Sequence, residues 1–165
     1  IMTYKDGYNL EARVKELKND YGFFGIGILN NSDEINIGTL WRSAYLLGAS
    51  FIFTVNKKYK HQGSDITKTW TRIPLYHFET FDELKEHLPY STRLVAIEMT
   101  EAAMPLDEFK HPDRAIYLLG NEISGLPSQI LKQCQSLIKL PGEYSLNVAV
   151  AGSIVMYDRH NKGNR

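Results

Sequence analysis

Residues 22–55 read GFFGIGILNNSDEINIGTLWRSAYLLGASFIFTV, and this stretch decides the fold class. Gly22 to Leu29 is small and apolar throughout, as a strand covered on both faces should be. Asn30 to Glu34 is a polar turn. From Ile35 to Leu47 the residues Ile37, Leu40, Ala44 and Leu47 recur at helical spacing, and Gly48 follows as a stop. Ser50 to Val55 is a second apolar strand.

The alternation continues outward from this unit. Pro74–Phe78, Arg93–Glu98, Ala115–Leu119 and Leu137–Leu140 read as strands. Asp82–Leu88, Pro127–Gln133 and Ser145–His160 read as helices, the last with Ser145 as its N-cap. Leu10, Val14 and Leu17 recur at helical spacing among charges, so residues 1–20 read as a short polar lead-in or helix. The expected fold is α/β, a mostly parallel sheet flanked by helices, in a single domain over residues 1–165. Ligands of such sheets sit outside the C-terminal ends of strands, so the loops after Leu29, Leu119 and Leu140 come forward.

Bulk properties narrow the partners. A chain of 165 residues can bury about two-thirds of its unfolded surface and needs no crosslink to fold. Its one cysteine, Cys134, has no internal partner and reads as a small apolar filler. No His or Cys pair has metal-site spacing, so no metal is expected. No apolar run reaches the roughly 20 residues of a membrane span, and no signal-peptide pattern opens the chain; the expected compartment is the cytoplasm. Net charge is zero, which counts mildly against a nucleic-acid partner. The local distribution says otherwise: Lys57, Lys58, Lys60, Lys68 and Arg72 face only Asp65, with Tyr59 and Trp70 interleaved. That composition suits phosphate contact with stacking platforms, and a solvated loop is the plain alternative. Arg159, His160, Lys162 and Arg165 make the tail basic as well.

Three polar loops, each directly after an apolar strand, carry the chemistry. The first presents Asn36, Gly38, Arg42, Ser43 and Ala44. Asn36 and Arg42 are six apart and do not share a helix face, and an arginine there can hold a phosphate bidentately. The second runs Gly120-Asn121-Glu122-Ile123-Ser124-Gly125-Leu126-Pro127. It lacks the Lys-Ser/Thr of a phosphate loop and the spacing G-x-G-x-x-G, and it presents one carboxylate, Glu122. The third runs Pro141-Gly142-Glu143-Tyr144-Ser145-Leu146-Asn147-Val148-Ala149, with Ser145 and Asn147 at a helix start.

In order and at strand ends, these loops resemble the three motifs of the SpoU (TrmH-like) branch of the SPOUT superfamily. Its first motif reads like N-x-G-x-x-x-R-[ST]-A, its second like G-[NS]-E-x-x-G-[LI], and its third like [IL]-P-x-x-G-x-x-x-S-L-N-V-[SA]-x-A. The resemblance spans roughly Gly22 to Asp158. It departs only where Gly142 follows Pro141 directly.

The resemblance implies an α/β fold with a C-terminal trefoil knot and no separate RNA-binding domain. It implies transfer of a methyl group from S-adenosylmethionine to a ribose 2′-hydroxyl of RNA, with tRNA favoured over ribosomal RNA, by a homodimer whose sites borrow from both subunits. The terminal helix would be the dimer face. Leu119, Gly120, Asn121, Glu122, Ile138, Leu140, Ser145, Leu146 and Val148 would hold the cofactor. Arg42 would be catalytic, with Asn36, Glu122, Ser145 and Asn147 in support. Arg42, Lys57, Lys58, Lys60, Lys68 and Arg72 would meet the RNA. A non-catalytic RNA- or cofactor-binding module of the same fold is the rival reading. A serine hydrolase using Ser145 lacks the G-x-S-x-G elbow, and a dinucleotide oxidoreductase lacks the glycine fingerprint.

Overall fold

The computed structural model describes residues 22–60 and 72–163. Its strands are β1 (Phe23–Leu29), β2 (Phe51–Val55), β3 (Leu75–Phe78), β4 (Arg93–Ile97), β5 (Met104–Pro105), β6 (Arg114–Gly120) and β7 (Ser136–Lys139). Its helices are α1 (Glu34–Leu46), α2 (Phe81–Glu86), α3 (Ser128–Leu131) and α4 (Val148–Lys162). The strands form one seven-stranded sheet in the order β3-β2-β1-β6-β4-β7-β5. Every neighbouring pair is parallel. The alternation of strands and helices therefore gave the right class.

Both faces of the sheet are covered, which explains the unbroken apolar runs. In β6, Ala115, Tyr117 and Leu119 join the core beneath α1 and α4, while Ile116 and Leu118 join the core on the other face with Phe81 and Leu84 of α2. Gly25 and Gly27 of β1 lie in register with Phe51 and Phe53 of β2. A Cβ at either glycine would sit 2.5 or 2.4 Å from those rings, so the small residues make room for two phenylalanines. Cys134 is half-buried in the second core, where burial pushes its thiol up to about 11 and leaves it unreactive.

Three sequence expectations need correction. Strand β5 was absent from them: it is two residues long, pairs only with β7 at the sheet edge, and carries no alternation to read. Helix α4 begins at Val148, because Asn147 rather than Ser145 caps it. The Asn147 carboxamide accepts from the Ala149 and Val150 amides at 2.9 and 3.2 Å. The basic tail is not a free cationic surface. Arg159 is 3% exposed, donates to the carbonyls of Pro112 and Asp113 at 2.6 and 2.9 Å, and stacks 5.0 Å from the centre of the Phe24 ring. Lys162 donates to the Leu106 and Phe109 carbonyls and pairs with Asp158 at 2.8 Å. The lead-in helix of residues 1–20 and Arg165 lie outside the described residues. No helix among the described residues is long and apolar enough to cross a membrane.

This clamp at the far end of α4 contains one titratable switch. Arg159 donates to the Tyr117 hydroxyl at 3.1 Å, so that hydroxyl donates to His111 Nδ1 at 2.6 Å. His111 Nε2 then carries the proton and donates to Asp158 at 2.7 Å. Burial lowers the His111 pKa below its ordinary 6.5, outweighing the opposite pull of Asp158. A lowered value means that the unfolded chain binds more protons than the folded one as pH falls below about 6.5. The contribution is complete above that pH and is lost as pH falls toward the folded-state value. Melting temperatures at pH 7.5 and 5.5 should accordingly lie further apart for the native chain than for His111→Gln. An equal gap would show that His111 does not carry this dependence.

Candidate functional site

The C-terminal ends of β1, β4, β6 and β7 open on one rim of the sheet. There the chain leaves a cavity of about 310 Å³, walled by the ends of β4 and β6, the loop after Gly120 and the loop after Leu140. That volume is at the lower end of the range for small-molecule sites. Leu119, Leu140 and Leu146 give it an apolar side, and Asn121, Glu122 and Ser145 a polar one.

Beside this cavity, residues from three distant segments meet at one carboxylate. Asn36, in the first turn of α1, donates to Glu122 Oε1 at 2.9 Å. The Val148 amide, the first of α4, reaches the same oxygen at 3.3 Å, and Ser32 Oγ donates to Oε2 at 3.3 Å. Asn147 donates to Asn36 Oδ1 at 2.9 Å and lies 3.4 Å from Glu122 Oε1. The Asn147 carboxamide thus caps α4 through its oxygen and binds α1 through its nitrogen, which fixes its orientation. Glu122 sits where free helix amides favour an anion. A glutamine there would place a donor against other donors.

The loop that carries Glu122 is closed on itself. Asn121 Oδ1 accepts from the Ile123 and Ser124 amides, its Nδ2 donates to the Asn30 carbonyl at 2.9 Å, and its own carbonyl accepts from Gly125 at 3.0 Å. Gly125 has φ +60°, and a Cβ on Gly120 would stand 2.3 Å from the Gly125 carbonyl carbon. The two glycines are therefore required by the turn itself as well as by any ligand that approaches it.

Among the residues expected from the sequence, Asn36, Glu122 and Asn147 meet directly. Leu119, Gly120, Asn121, Glu122, Leu140, Ser145, Leu146 and Val148 line the cavity. Ile138 does not; it is 1% exposed in the core, and its carbonyl accepts from the Glu98 amide at 3.0 Å. Arg42 is exposed further along α1, apart from the Asn36–Glu122–Asn147 group. Lys57, Lys58, Lys60 and Arg72 are exposed, and Lys68 and Trp70 lie outside the described residues. Tyr59 is no open stacking platform, because its ring packs edge-on against the buried Trp41 at 6.0 Å. Among the described residues, no group of three or more His, Cys, Asp or Glu side chains gathers to hold a metal ion.

The sequence pattern of the SpoU rRNA Methylase family matches residues 24–157, from the first strand to the last helix. The chain belongs to the SpoU methylase family. The three loops that meet at the rim are the three stretches through which it resembled that family.

YacO of Bacillus subtilis strain 168, named for the TrmH family of tRNA/rRNA methyltransferases, is 28% identical over 92% of this chain and 64% of its own length. The tRNA (guanosine(18)-2′-O)-methyltransferase TARBP1 of Mus musculus is 20% identical over 74% of this chain. Only 8% of TARBP1 is covered, so this SpoU chain spans a small part of that relative and under two-thirds of YacO. The crystal structure of an AdoMet-bound rRNA methyltransferase from Sinorhizobium meliloti superposes with a TM-score of 0.74 at 22% identity, over 85% of this chain and 56% of that one.

Several residues of this site are absent from the expected set, and one of them, Glu98, carries a charge. Glu98, at the end of β4, turns its carboxylate into the cavity wall and accepts from the Leu126 amide at 2.7 Å and the Met99 amide at 2.9 Å. Its signal was present, a lone acid closing the apolar run Leu94–Ile97 at a strand's C-terminal end.

Proposed function

We propose that this chain transfers a methyl group from S-adenosylmethionine to a ribose 2′-hydroxyl of RNA, with tRNA ahead of ribosomal RNA as substrate. One observation carries the reading: Asn36, Glu122 and Asn147, one from each motif loop, are hydrogen-bonded together beside a cavity at the strand ends. The residues present fit the cofactor. Leu119, Leu140 and Leu146 offer an apolar wall for a base, the Gly120–Gly125 turn brings backbone close, and the charged side chains in the lining are both carboxylates. Bound S-adenosylmethionine supplies an activated methyl group on a sulfonium leaving group.

The chain's own residues do the rest. Glu122, tied to the starts of α1 and α4, keeps the motif loops in fixed relation. Arg42 anchors the RNA phosphate next to the target ribose. Arginine holds its proton too firmly to act as a ready base, so the hydroxyl proton leaves more easily through that phosphate. Asn36, Ser145 and Asn147 position the ribose, and the Arg42 guanidinium acts from outside their hydrogen-bonded group.

A homodimer is part of this reading. Val150, Ile154 and Tyr157 of α4 are 46, 39 and 59% exposed, an apolar face that a second copy would cover. The knot implied by the motifs is supported by β7 lying between β4 and β5 and by α4 packing back against α1.

The direct test is incubation with labelled S-adenosylmethionine and total RNA, followed by mapping of 2′-O-methyl positions. Label in ribosomal RNA alone would remove the tRNA preference, and no label in any RNA would favour a non-catalytic binding module. RNA contact has its own test. Reversing Lys57, Lys58 and Lys60 to Glu should weaken RNA binding at least about tenfold and reduce the salt slope by about two. Unchanged filter binding would exclude that patch.

A further inference from the structure

We infer that Glu98 is a specificity-determining residue that makes the cavity prefer the cationic methyl donor over its neutral demethylated product. The inference rests on the cavity being the cofactor site. Among the described residues, Glu98 and Glu122 are the charged side chains in the cavity lining, with no Lys, Arg or His beside them. Both carboxylates are held in place. Glu98 is fixed by the Leu126 and Met99 amides, and its own amide donates to the Ile138 carbonyl. It therefore joins the chain segments after β4 and β6 to strand β7, and its charge cannot swing away from the cavity. Gly125 is required beside it, since a Cβ there would lie 2.5 Å from Glu98 Oε2.

S-adenosylmethionine carries one more positive charge than S-adenosylhomocysteine, because the sulfonium becomes a thioether when the methyl leaves. Two anchored carboxylates without a compensating cation attract the donor more strongly than the product. Glu122 has a second task in joining the motif loops, so Glu98 is where the charge effect can be separated from assembly of the site. The consequence is product release: the site's electrostatic hold weakens at the moment the reaction is complete.

Isothermal titration measures this without turnover. S-adenosylmethionine, S-adenosylhomocysteine and sinefungin, which keeps a cationic amine near the sulfonium position, are titrated into the native chain and Glu98→Gln. Glutamine retains the size and one oxygen that can accept from Leu126. The two cationic ligands should weaken by about three- to tenfold, and the neutral product should change by less than about twofold. Leu146→Lys, at a position already 41% exposed, adds a cation to the same wall and should shift the ratio in the same direction. Equal weakening of all three ligands by both variants would overturn the inference, leaving Glu98 as a loop anchor and the cofactor site intact. No change for any ligand with either variant would remove the cavity as the cofactor site and the inference with it.

Discussion

Arg42→Ala is expected to lower methyl transfer to RNA by at least about 100-fold. Cofactor affinity in the same variant should stay within about twofold of the native value, because Arg42 stands outside the cavity lining. The side chain is exposed on α1, so its removal leaves no buried group without a partner. The Asn36–Glu122–Asn147 group is bonded without it. On the proposed reading, its contribution is confined to what it does with RNA. Arg42→Lys keeps the charge but loses the planar fork, and should fall between the two. Single-turnover methylation with labelled cofactor, paired with titration calorimetry, separates the arms. Transfer at the native rate in Arg42→Ala would end the assigned role.

Arg159→Met should destabilise the fold by about 3 kcal/mol or more, although it lies at the opposite end of α4 from the cavity. Methionine fills much of the space over Phe24 but cannot donate. The carbonyls of Pro112 and Asp113 would each lose a charged partner in a part-buried setting, and the Tyr117 hydroxyl would lose one in a buried setting. At typical urea sensitivities for a small protein, the unfolding midpoint should fall by about 1–3 M. A midpoint within about 0.3 M of the native value would mean that those carbonyls find other donors.

Both residues bear on what could be read from the chain alone. The sheet was legible because β1, β2, β4 and β6 are buried on both faces and so appear as continuous apolar runs. The cavity wall was legible because motif residues fall directly after those runs. The burial of Arg159 was not legible in composition, which counts charges without placing them. A better signal lay in phase: Val148, Gly152, Val155 and Arg159 follow one another at helical spacing, and all four are buried. The cap of α4 was misplaced because Ser145 and Asn147 are both good caps, and the choice is made by Asn36, 111 residues away. No local pattern contains that contact. Glu98 was not legible because it closes an apolar strand rather than sitting in a polar loop, and its contacts are to backbone amides that no side-chain pattern marks.

Helix α4 has 15 residues, a rod about 22 Å long. One tip is pinned at Asn147 beside the cavity and the other at Asp158, Arg159 and Lys162. A stiff lever held at both tips transmits small tilts from either one. Lesions at its remote anchorage should therefore register as weakened cofactor capture before unfolding becomes measurable, and a survey of inactive variants would find damage clustered at two poles of the molecule.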